Sequence, residues 1–135
     1  MAGKNPKNKR RLKILVVDDE PRIREVMQQL LADEGYDTET ADSGDAALRK
    51  MPVFRPHLVF LDIRMPDMDG IQCLRKMKKM GFGGEVVMIS GFATMDMVRR
   101  CMEFGAFDFI GKPLSFDHVR EVILQLAITR FAGFL

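Results

Sequence analysis

Two apolar segments of the chain, at residues 12–17 and 58–61, run directly into aspartate residues. Asp18 and Asp19 follow the first segment, and Asp62 follows the second within the stretch LVFLDIRMPDMDG. Two unit charges about 4 Å apart repel by roughly 4 kcal/mol at an effective dielectric constant near 20, so three neighbouring carboxylates require a cation or raised pKa values. Mg²⁺ prefers carboxylate, carbonyl and water oxygens. If the two segments end side by side, these residues predict a Mg²⁺ site.

Two further polar positions stand where later apolar segments end. Ser90 follows residues 85–89, and Lys112 and Pro113 follow the short segment 107–110. A lysine contributes a positive point charge, and a serine contributes a hydroxyl donor. Beside a bound cation, such groups neutralise phosphoryl oxygens while a carboxylate attacks the phosphorus atom in line. The residue types therefore predict transfer of a phosphoryl group to an aspartate.

These residues need a scaffold that brings the ends of several strands together. Short apolar segments alternate five times with segments in which apolar residues have helical spacing, a pattern typical of a parallel sheet covered by helices on both faces. In such sheets, ligands bind beyond the carboxyl ends of the strands, where the winding reverses. We therefore predict a doubly wound α/β fold. Its second helix should break near Pro52, and its strands should lie at residues 12–17, 36–41, 57–62, 85–90 and 107–110.

Length and composition predict one soluble domain. The chain has 135 residues, of which 47% are apolar and 30% are charged, as in ordinary globular proteins. No apolar run approaches the roughly 18 residues of a membrane span, and the N-terminus lacks the apolar region of a signal peptide. We therefore expect a cytoplasmic protein with no membrane contact, in which Cys73 and Cys101 are reduced packing residues.

The net charge of +2 conceals two oppositely charged parts of the chain. Residues 1–11 carry five of the 21 basic residues and no acidic residue, which leaves 16 basic against 19 acidic residues in the remainder. We predict a basic, flexible tail at residues 1–11 and a folded domain at residues 12–135. A basic tail can contact nucleic acid through its charge, but it is more often a solvated leader, so direct nucleic-acid binding is not expected.

The order and spacing of the motifs resemble the receiver domain of two-component response regulators, from about Leu12 to Phe131. The resemblance rests on the paired aspartates, the motif D-x-x-M-P-x-M-x-G, Ser90-Gly91, Gly105-Ala106-Phe107-Asp108-Phe109 and Lys112-Pro113. It implies a five-stranded flavodoxin-like parallel sheet with strand order 2-1-3-4-5. The first and third strands would then be neighbours, which would bring their aspartates together.

The resemblance also implies roles for the acidic residues. Asp62 would be the phosphoacceptor. Asp19 and Asp62 would bind Mg²⁺ directly, together with the backbone carbonyl of Arg64, and Asp18 would act through a metal-bound water. The Arg64 side chain would overhang the site and change how fast water removes the phosphoryl group, in a direction that the sequence does not give.

Three other residues would sense the phosphoryl group. Lys112 would pair with it, or with Asp62 before phosphorylation, and a cis Lys112–Pro113 bond would turn Lys112 toward the site. Ser90 would hydrogen-bond a phosphoryl oxygen; its alternative role is to cap the following helix. Phe109 would change rotamer together with Ser90; its alternative role is simple core packing.

A receiver domain implies particular partners. A sensor histidine kinase or a phosphotransfer protein would donate the phosphoryl group. An output domain, an effector protein or a second copy of the chain would bind the surface formed by the fourth helix, the fifth strand and the fifth helix. A free-standing receiver and a piece of a longer regulator fit the sequence equally, and the apolar residues 131–135 are a candidate contact segment.

The enzymatic alternative is a Mg²⁺-dependent phosphatase that forms an aspartyl-phosphate intermediate. Haloacid-dehalogenase-like enzymes carry their nucleophile in a DxD motif after the first strand, whereas this chain has Asp18-Asp19-Glu20 and no segment that would serve as a substrate cap. We therefore expect a signalling switch that assists its own phosphorylation and dephosphorylation, and not an enzyme acting on external substrates.

Overall fold

The computed structural model describes residues 11–134, along which five strands alternate with five α-helices. A short 3-10 helix at Ala132–Phe134 follows the last α-helix. The strands are β1 (Lys13–Val17), β2 (Asp37–Ala41), β3 (Leu58–Asp62), β4 (Glu85–Ser90) and β5 (Asp108–Gly111). The helices are α1 (Pro21–Asp33), α2 (Gly44–Phe54), α3 (Gly70–Lys79), α4 (Met95–Glu103) and α5 (Phe116–Thr129).

The five strands form one parallel sheet in the order β2-β1-β3-β4-β5. The chain first winds outward from β1 to β2 and then returns past β1 to β3, so the winding reverses between β1 and β3. This topology confirms the predicted doubly wound, flavodoxin-like α/β fold. It also places the carboxyl ends of β1 and β3 next to each other at the reversal point.

Alternate side chains of the three central strands, β1, β3 and β4, enter two different cores. In β3, Val59 and Leu61 pack with residues of α2, α3 and α4, whereas Leu58 and Phe60 pack with residues of α1 and α5. All five residues of β3 are buried. A parallel sheet covered on both faces leaves neither side of its central strands in water, which explains the unbroken apolar run before Asp62.

One predicted helix boundary is wrong. Instead of breaking near Pro52, α2 continues through this residue to Phe54 and ends at Arg55, whose φ of 56° lies in the left-handed region. Pro52 stands in the last turn, where its missing N–H removes a single helical hydrogen bond. The buried Met51 anchors the same turn to the core, and its carbonyl accepts the Arg55 N–H at 2.8 Å.

The register of the sheet brings four strand ends to one edge. Val17 of β1 pairs with Leu61 of β3, and Ser90 of β4 pairs with Gly111 of β5. The Lys112 N–H continues the ladder by donating to the Ser90 carbonyl at 2.9 Å. The polar residues that follow the apolar segments are therefore neighbours in space.

The two ends of the described chain pack at the opposite edge of the sheet. Arg11 forms an ion pair with Asp37 at 3.3 Å; the rest of the predicted tail, residues 1–10, lies outside the described residues. Phe131 is 9% exposed and packs in the core beside α5. The expectation of an exposed apolar contact segment is therefore wrong for Phe131, and Leu135 lies outside the described residues.

Candidate functional site

Asp62 and Asp18 form the buried centre of the site. Asp62 ends β3 and is 2% exposed, while Asp18 follows β1 and is fully buried. Backbone groups fix both side chains: the Asp62 carboxylate accepts the N–H of Arg64, and Asp18 Oδ1 accepts the N–H of Glu20 at 2.9 Å. The Asp18 carbonyl accepts a hydrogen bond from Arg24 Nη1 at 2.8 Å. The two carboxylates are thus held rigidly at the reversal point of the sheet.

Lys112 reaches across to this pair from the other half of the sheet. Its Nζ lies 3.1 Å from Asp18 Oδ2 and 3.5 Å from Asp62 Oδ2. The Lys112–Pro113 peptide bond is cis. Burial alone would lower the pKa of Lys112, but its contacts with Glu20 and Asp18 and the charge of Asp62 outweigh burial and raise it. Lys112 therefore stays protonated and supplies a fixed positive charge beside Asp62.

Glu20 is the residue of this site that sequence reasoning missed. Its Oε1 lies 2.7 Å from Lys112 Nζ, and it forms with Asp18 and Asp62 a group whose ligand oxygens all lie within 4.8 Å of one another. Asp19, which the sequence analysis favoured as a metal ligand, is exposed and does not belong to that group. The acidic run at residues 18–20 was the available signal, but the loop after β1 decides which of its carboxylates approach Asp62.

The surroundings of Asp62 disfavour the charged form of its carboxyl group. Burial raises its pKa most, and the negative charge of Asp18 raises it further, whereas Lys112 and the Arg64 N–H act in the opposite direction. The outcome is a pKa of about 7, against an ordinary value of 3.8. Any additional positive charge that enters the site would stabilise the ionised form of this carboxylate.

Ser90 and Phe109 lie on the neighbouring strands β4 and β5. Ser90 is 2% exposed, and its Oγ accepts the N–H of Phe92 at 3.2 Å. It does not cap the following helix, because α4 is capped by Thr94, whose side chain accepts the N–H of Met97. Phe109 is half-buried against the core of α2, α3 and α4. The helix-cap alternative for Ser90 is therefore excluded, whereas the switch role of Phe109 stays a prediction.

Two exposed side chains stand at the mouth of the site. The Arg64 guanidinium lies 5.7 Å from the centroid of the Phe92 ring, which is 75% exposed. Cation–π pairs at exposed positions contribute about 0.5–1 kcal/mol. This contact connects the segment after β3 with the segment after β4. The Arg64 side chain is therefore paired with Phe92, and its predicted position over the site stays a prediction.

The donor set suits a magnesium ion. Asp18 Oδ2 is buried and, among the residues that the structure describes, is the buried side-chain oxygen without a hydrogen bond. Its contact with Lys112 Nζ has ion-pair distance but not hydrogen-bond geometry. Asp18 and Asp62 offer buried carboxylate oxygens within 4.8 Å of each other, and carboxylates are the hard ligands that Mg²⁺ prefers. The residues therefore fit this cation.

Comparison with known proteins identifies the family. Residues 14–124 match the family model of the response regulator receiver domain. Over 111 residues the chain is 36% identical to sporulation initiation phosphotransferase F of Bacillus subtilis, covering 82% of this chain and 90% of that protein. The solved structure of a CheX–CheY–BeF3–Mg²⁺ complex from Borrelia burgdorferi is similar at 30% identity with a TM-score of 0.82, covering 90% of this chain and 96% of that one.

The chain therefore belongs to the response regulator receiver domain family and is the receiver domain of a two-component response regulator. Receiver domains are signalling switches and not enzymes in the ordinary sense. They bind Mg²⁺ at an acidic pocket and interact with histidine kinases and output domains. This membership confirms the predicted resemblance and disfavours the phosphatase alternative.

Some relatives are much longer than this chain. It is 40% identical over 117 residues to the nitrogen assimilation regulatory protein NtrX of Azorhizobium caulinodans, but it spans only 26% of that protein. In contrast, it spans nine-tenths of the sporulation phosphotransferase. None of the helices among residues 11–134 has the length and apolar character that crossing a membrane requires.

Proposed function

We propose that this domain accepts a phosphoryl group on Asp62 and signals through the resulting change of its surface. The observation that carries the proposal is the position of Asp62. Its carboxylate is buried at the end of a central strand and lies 3.5 Å from Lys112 Nζ, in a pocket that suits Mg²⁺. A rigidly held carboxylate beside fixed positive charge is the arrangement that phosphoryl transfer requires.

In the transfer step, a carboxylate oxygen of Asp62 forms a bond to the phosphorus atom of the donor. The bond between phosphorus and the donor nitrogen or oxygen breaks, and the departing group takes the bonding electrons. The product is an acyl phosphate on Asp62 together with the dephosphorylated donor, a histidine of a sensor kinase or phosphotransfer protein. Lys112 pairs with a phosphoryl oxygen, and the Ser90 hydroxyl donates a hydrogen bond to another.

We propose that Asp19, Asp62 and the backbone carbonyl of Arg64 hold Mg²⁺, with Asp18 in support. When bound, Mg²⁺ neutralises charge that develops on the phosphoryl oxygens. Asp18 supports this assignment, because its buried Oδ2 lacks a hydrogen bond among the described residues. Glu20 belongs to the same carboxylate group, but it is exposed and its nearest cationic partner is Lys112.

Signalling would proceed from the site to the surface formed by α4, β5 and α5. Ser90 ends β4, and Phe109 lies on the neighbouring strand β5; movement of Ser90 toward the phosphoryl group would leave room for Phe109 to turn inward. Inverting a 1:99 equilibrium requires about 5.5 kcal/mol of differential binding, so the contacts of Lys112 and Ser90 must act together. An output domain, an effector protein or a second copy would then bind this surface in the cytoplasm.

Mass spectrometry with a small phosphodonor tests the proposal. The chain is incubated with Mg²⁺ and acetyl phosphate, and we expect the mass of one phosphoryl group to be added. Asp62→Asn should abolish this addition, because an amide is not a nucleophile for phosphorus at neutral pH. Asp67→Asn is the matched control, since Asp67 lies in the exposed turn before α3 with a φ of 69°.

Two results would contradict the proposal. One is a wild-type chain that gains no phosphoryl mass at saturating Mg²⁺ and donor. The other is an Asp62→Asn chain that gains as much as the wild type. Removal of Mg²⁺ with EDTA should stop the reaction in the wild type and in Asp67→Asn alike.

A further inference from the structure

Lys112 has a competing partner at the mouth of the site. The shortest of its three carboxylate contacts is to Glu20, at 2.7 Å, compared with 3.1 Å to Asp18 and 3.5 Å to Asp62. The Glu20 contact is a hydrogen bond between residues 92 positions apart. The ammonium group of Lys112, which would pair with the phosphoryl group, therefore lies nearest to the exposed Glu20 at the rim of the site.

The backbone around Glu20 is fixed while its side chain is free to reach Lys112. Its N–H donates to Asp18 Oδ1 at 2.9 Å, and its carbonyl accepts the N–H of Arg24 at 3.2 Å as α1 begins. Although Glu20 is the N-cap residue of α1, its side chain makes no capping hydrogen bond. Its carboxylate, 57% exposed, instead contacts Lys112, whose side chain is 17% exposed. Lys112 thus contacts an exposed carboxylate, that of Glu20, and the two buried carboxylates of Asp18 and Asp62 at the same time.

We propose that Glu20 is a positioning residue that holds Lys112 at the rim in the unphosphorylated domain and competes with the phosphoryl group for it. The inference rests on the proposed phosphorylation of Asp62. When Asp62 gains the phosphoryl group, negative charge increases at the buried end of the Lys112 side chain. Lys112 then leaves Glu20 and pairs with the phosphoryl oxygens. The cost of breaking the Glu20 contact is part of the barrier to phosphorylation.

The variant Glu20→Gln separates this role from metal binding. Glutamine keeps the size of the side chain but removes the charge that attracts Lys112. Partly exposed ion pairs are weak, so we expect phosphorylation by acetyl phosphate at saturating Mg²⁺ to become roughly two- to fivefold faster, with an unchanged dissociation constant for Mg²⁺. A residue that ligated the metal would show slower phosphorylation and weaker Mg²⁺ binding instead. Glu25→Gln, on the exposed surface of α1, removes the same charge elsewhere and should leave the rate unchanged.

A second measurement observes Lys112 directly. In the unphosphorylated chain, Glu20→Gln should shift the NMR signals of the Lys112 side-chain methylene next to Nζ, which are assigned by their loss in Lys112→Arg. In the chain saturated with Mg²⁺ and beryllofluoride, a phosphoryl mimic, the same substitution should leave these signals in place, because Lys112 has already left Glu20.

The results distinguish failure of this inference from failure of the proposed function. A wild-type chain that takes no phosphoryl group from acetyl phosphate contradicts both. If the wild type is phosphorylated, then an unchanged or slower rate in Glu20→Gln overturns the role of Glu20 alone. Equal shifts of the Lys112 signals in the free and beryllofluoride-bound chains would also overturn it.

Discussion

At the scale of single residues, the site gains reactivity at the expense of stability. Asp62 and Asp18 lie together in a buried position, and the pKa of Asp62 is raised to about 7 by burial and by the Asp18 charge. In the unfolded chain the Asp62 carboxyl returns to its ordinary pKa of 3.8. Ionisation of Asp62 is therefore harder in the folded state, and this strain opposes folding wherever the group is charged.

The variant Asp62→Asn should be more stable than the wild type in the absence of Mg²⁺. Because the folded pKa lies above the unfolded one, the destabilisation is absent below pH 4, grows as the pH rises through the interval from 3.8 to about 7, and is complete above it. At pH 8 with EDTA we expect the free energy of unfolding of Asp62→Asn to exceed that of the wild type by roughly 1–3 kcal/mol. Urea unfolding at pH 8 and pH 4.5 measures the difference.

Mg²⁺ provides the control for this prediction. It should stabilise the wild type more than Asp62→Asn, since a ligand that binds only the folded state adds stability in proportion to its affinity. The difference between the two chains should therefore shrink when Mg²⁺ replaces EDTA at pH 8. An Asp62→Asn chain that is less stable than the wild type under both conditions would refute the account of Asp62 as a strained carboxylate.

At the scale of elements, the site depends on how closely α3 starts over the end of β3. The N–H of Gly70 donates to the Ile63 carbonyl at 2.7 Å. A Cβ atom at position 70 would stand 2.1 Å from the Asp62 carbonyl oxygen and 2.7 Å from the Ile63 Cα. Both are backbone atoms that cannot turn away, so the final glycine of the motif D-x-x-M-P-x-M-x-G is required by space.

The variant Gly70→Ala should displace the phosphoacceptor. We expect a loss of about 2–4 kcal/mol in the free energy of unfolding, as for other forced overpacking, and slower phosphorylation of the fraction that folds. Gly83→Ala is the matched control, because a Cβ there meets no atom within 4 Å, and it should change stability by less than about 0.5 kcal/mol. Thermal denaturation and the acetyl phosphate assay check both; equal behaviour of the two variants would exclude the steric explanation.

At the scale of the whole molecule, the carboxyl ends and the amino ends of the strands have different roles. The carboxyl ends of the strands carry the site, whereas the opposite edge is closed by the segment after α5. Phe131 packs there beside Leu12 and Leu126, and its ring lies 6.4 Å from that of His57 in an edge-on arrangement. His57 Nδ1 in turn accepts the N–H of Lys13 at 2.9 Å. This segment lies beyond residues 14–124, which match the family model.

The variant Phe131→Ala should therefore lower stability without changing the chemistry. Removing a buried aromatic side chain near a chain end should reduce the free energy of unfolding by about 2–3 kcal/mol. The rate of phosphorylation, measured well below the melting temperature, should equal that of the wild type because Asp62 lies at the far end of β3. Phe131→Leu should lose less stability. A phosphorylation rate that falls in Phe131→Ala would show that the two edges are coupled.

Much of this molecule could be predicted from local sequence. The apolar run of residues 58–61 indicated a strand that is buried on both faces, and Asp62 marked its carboxyl end. The same local reasoning failed at Pro52, where burial of Met51 holds a turn that proline weakens. Local sequence patterns predict an element correctly where its buried residues follow a regular pattern along the chain. They predict it wrongly where packing in the core outweighs the local preference of a residue.

The sequence by itself determined which chemical groups are available and that they follow apolar strands. Only the tertiary structure decided that Glu20, and not Asp19, joins Asp18 and Asp62 in one group of oxygens, and that Lys112 lies closer to Glu20 than to Asp62. Charge interactions act through space over a few ångströms, whereas these residues are up to 92 positions apart in the chain. Their mutual distances exist only once the sheet has closed around them.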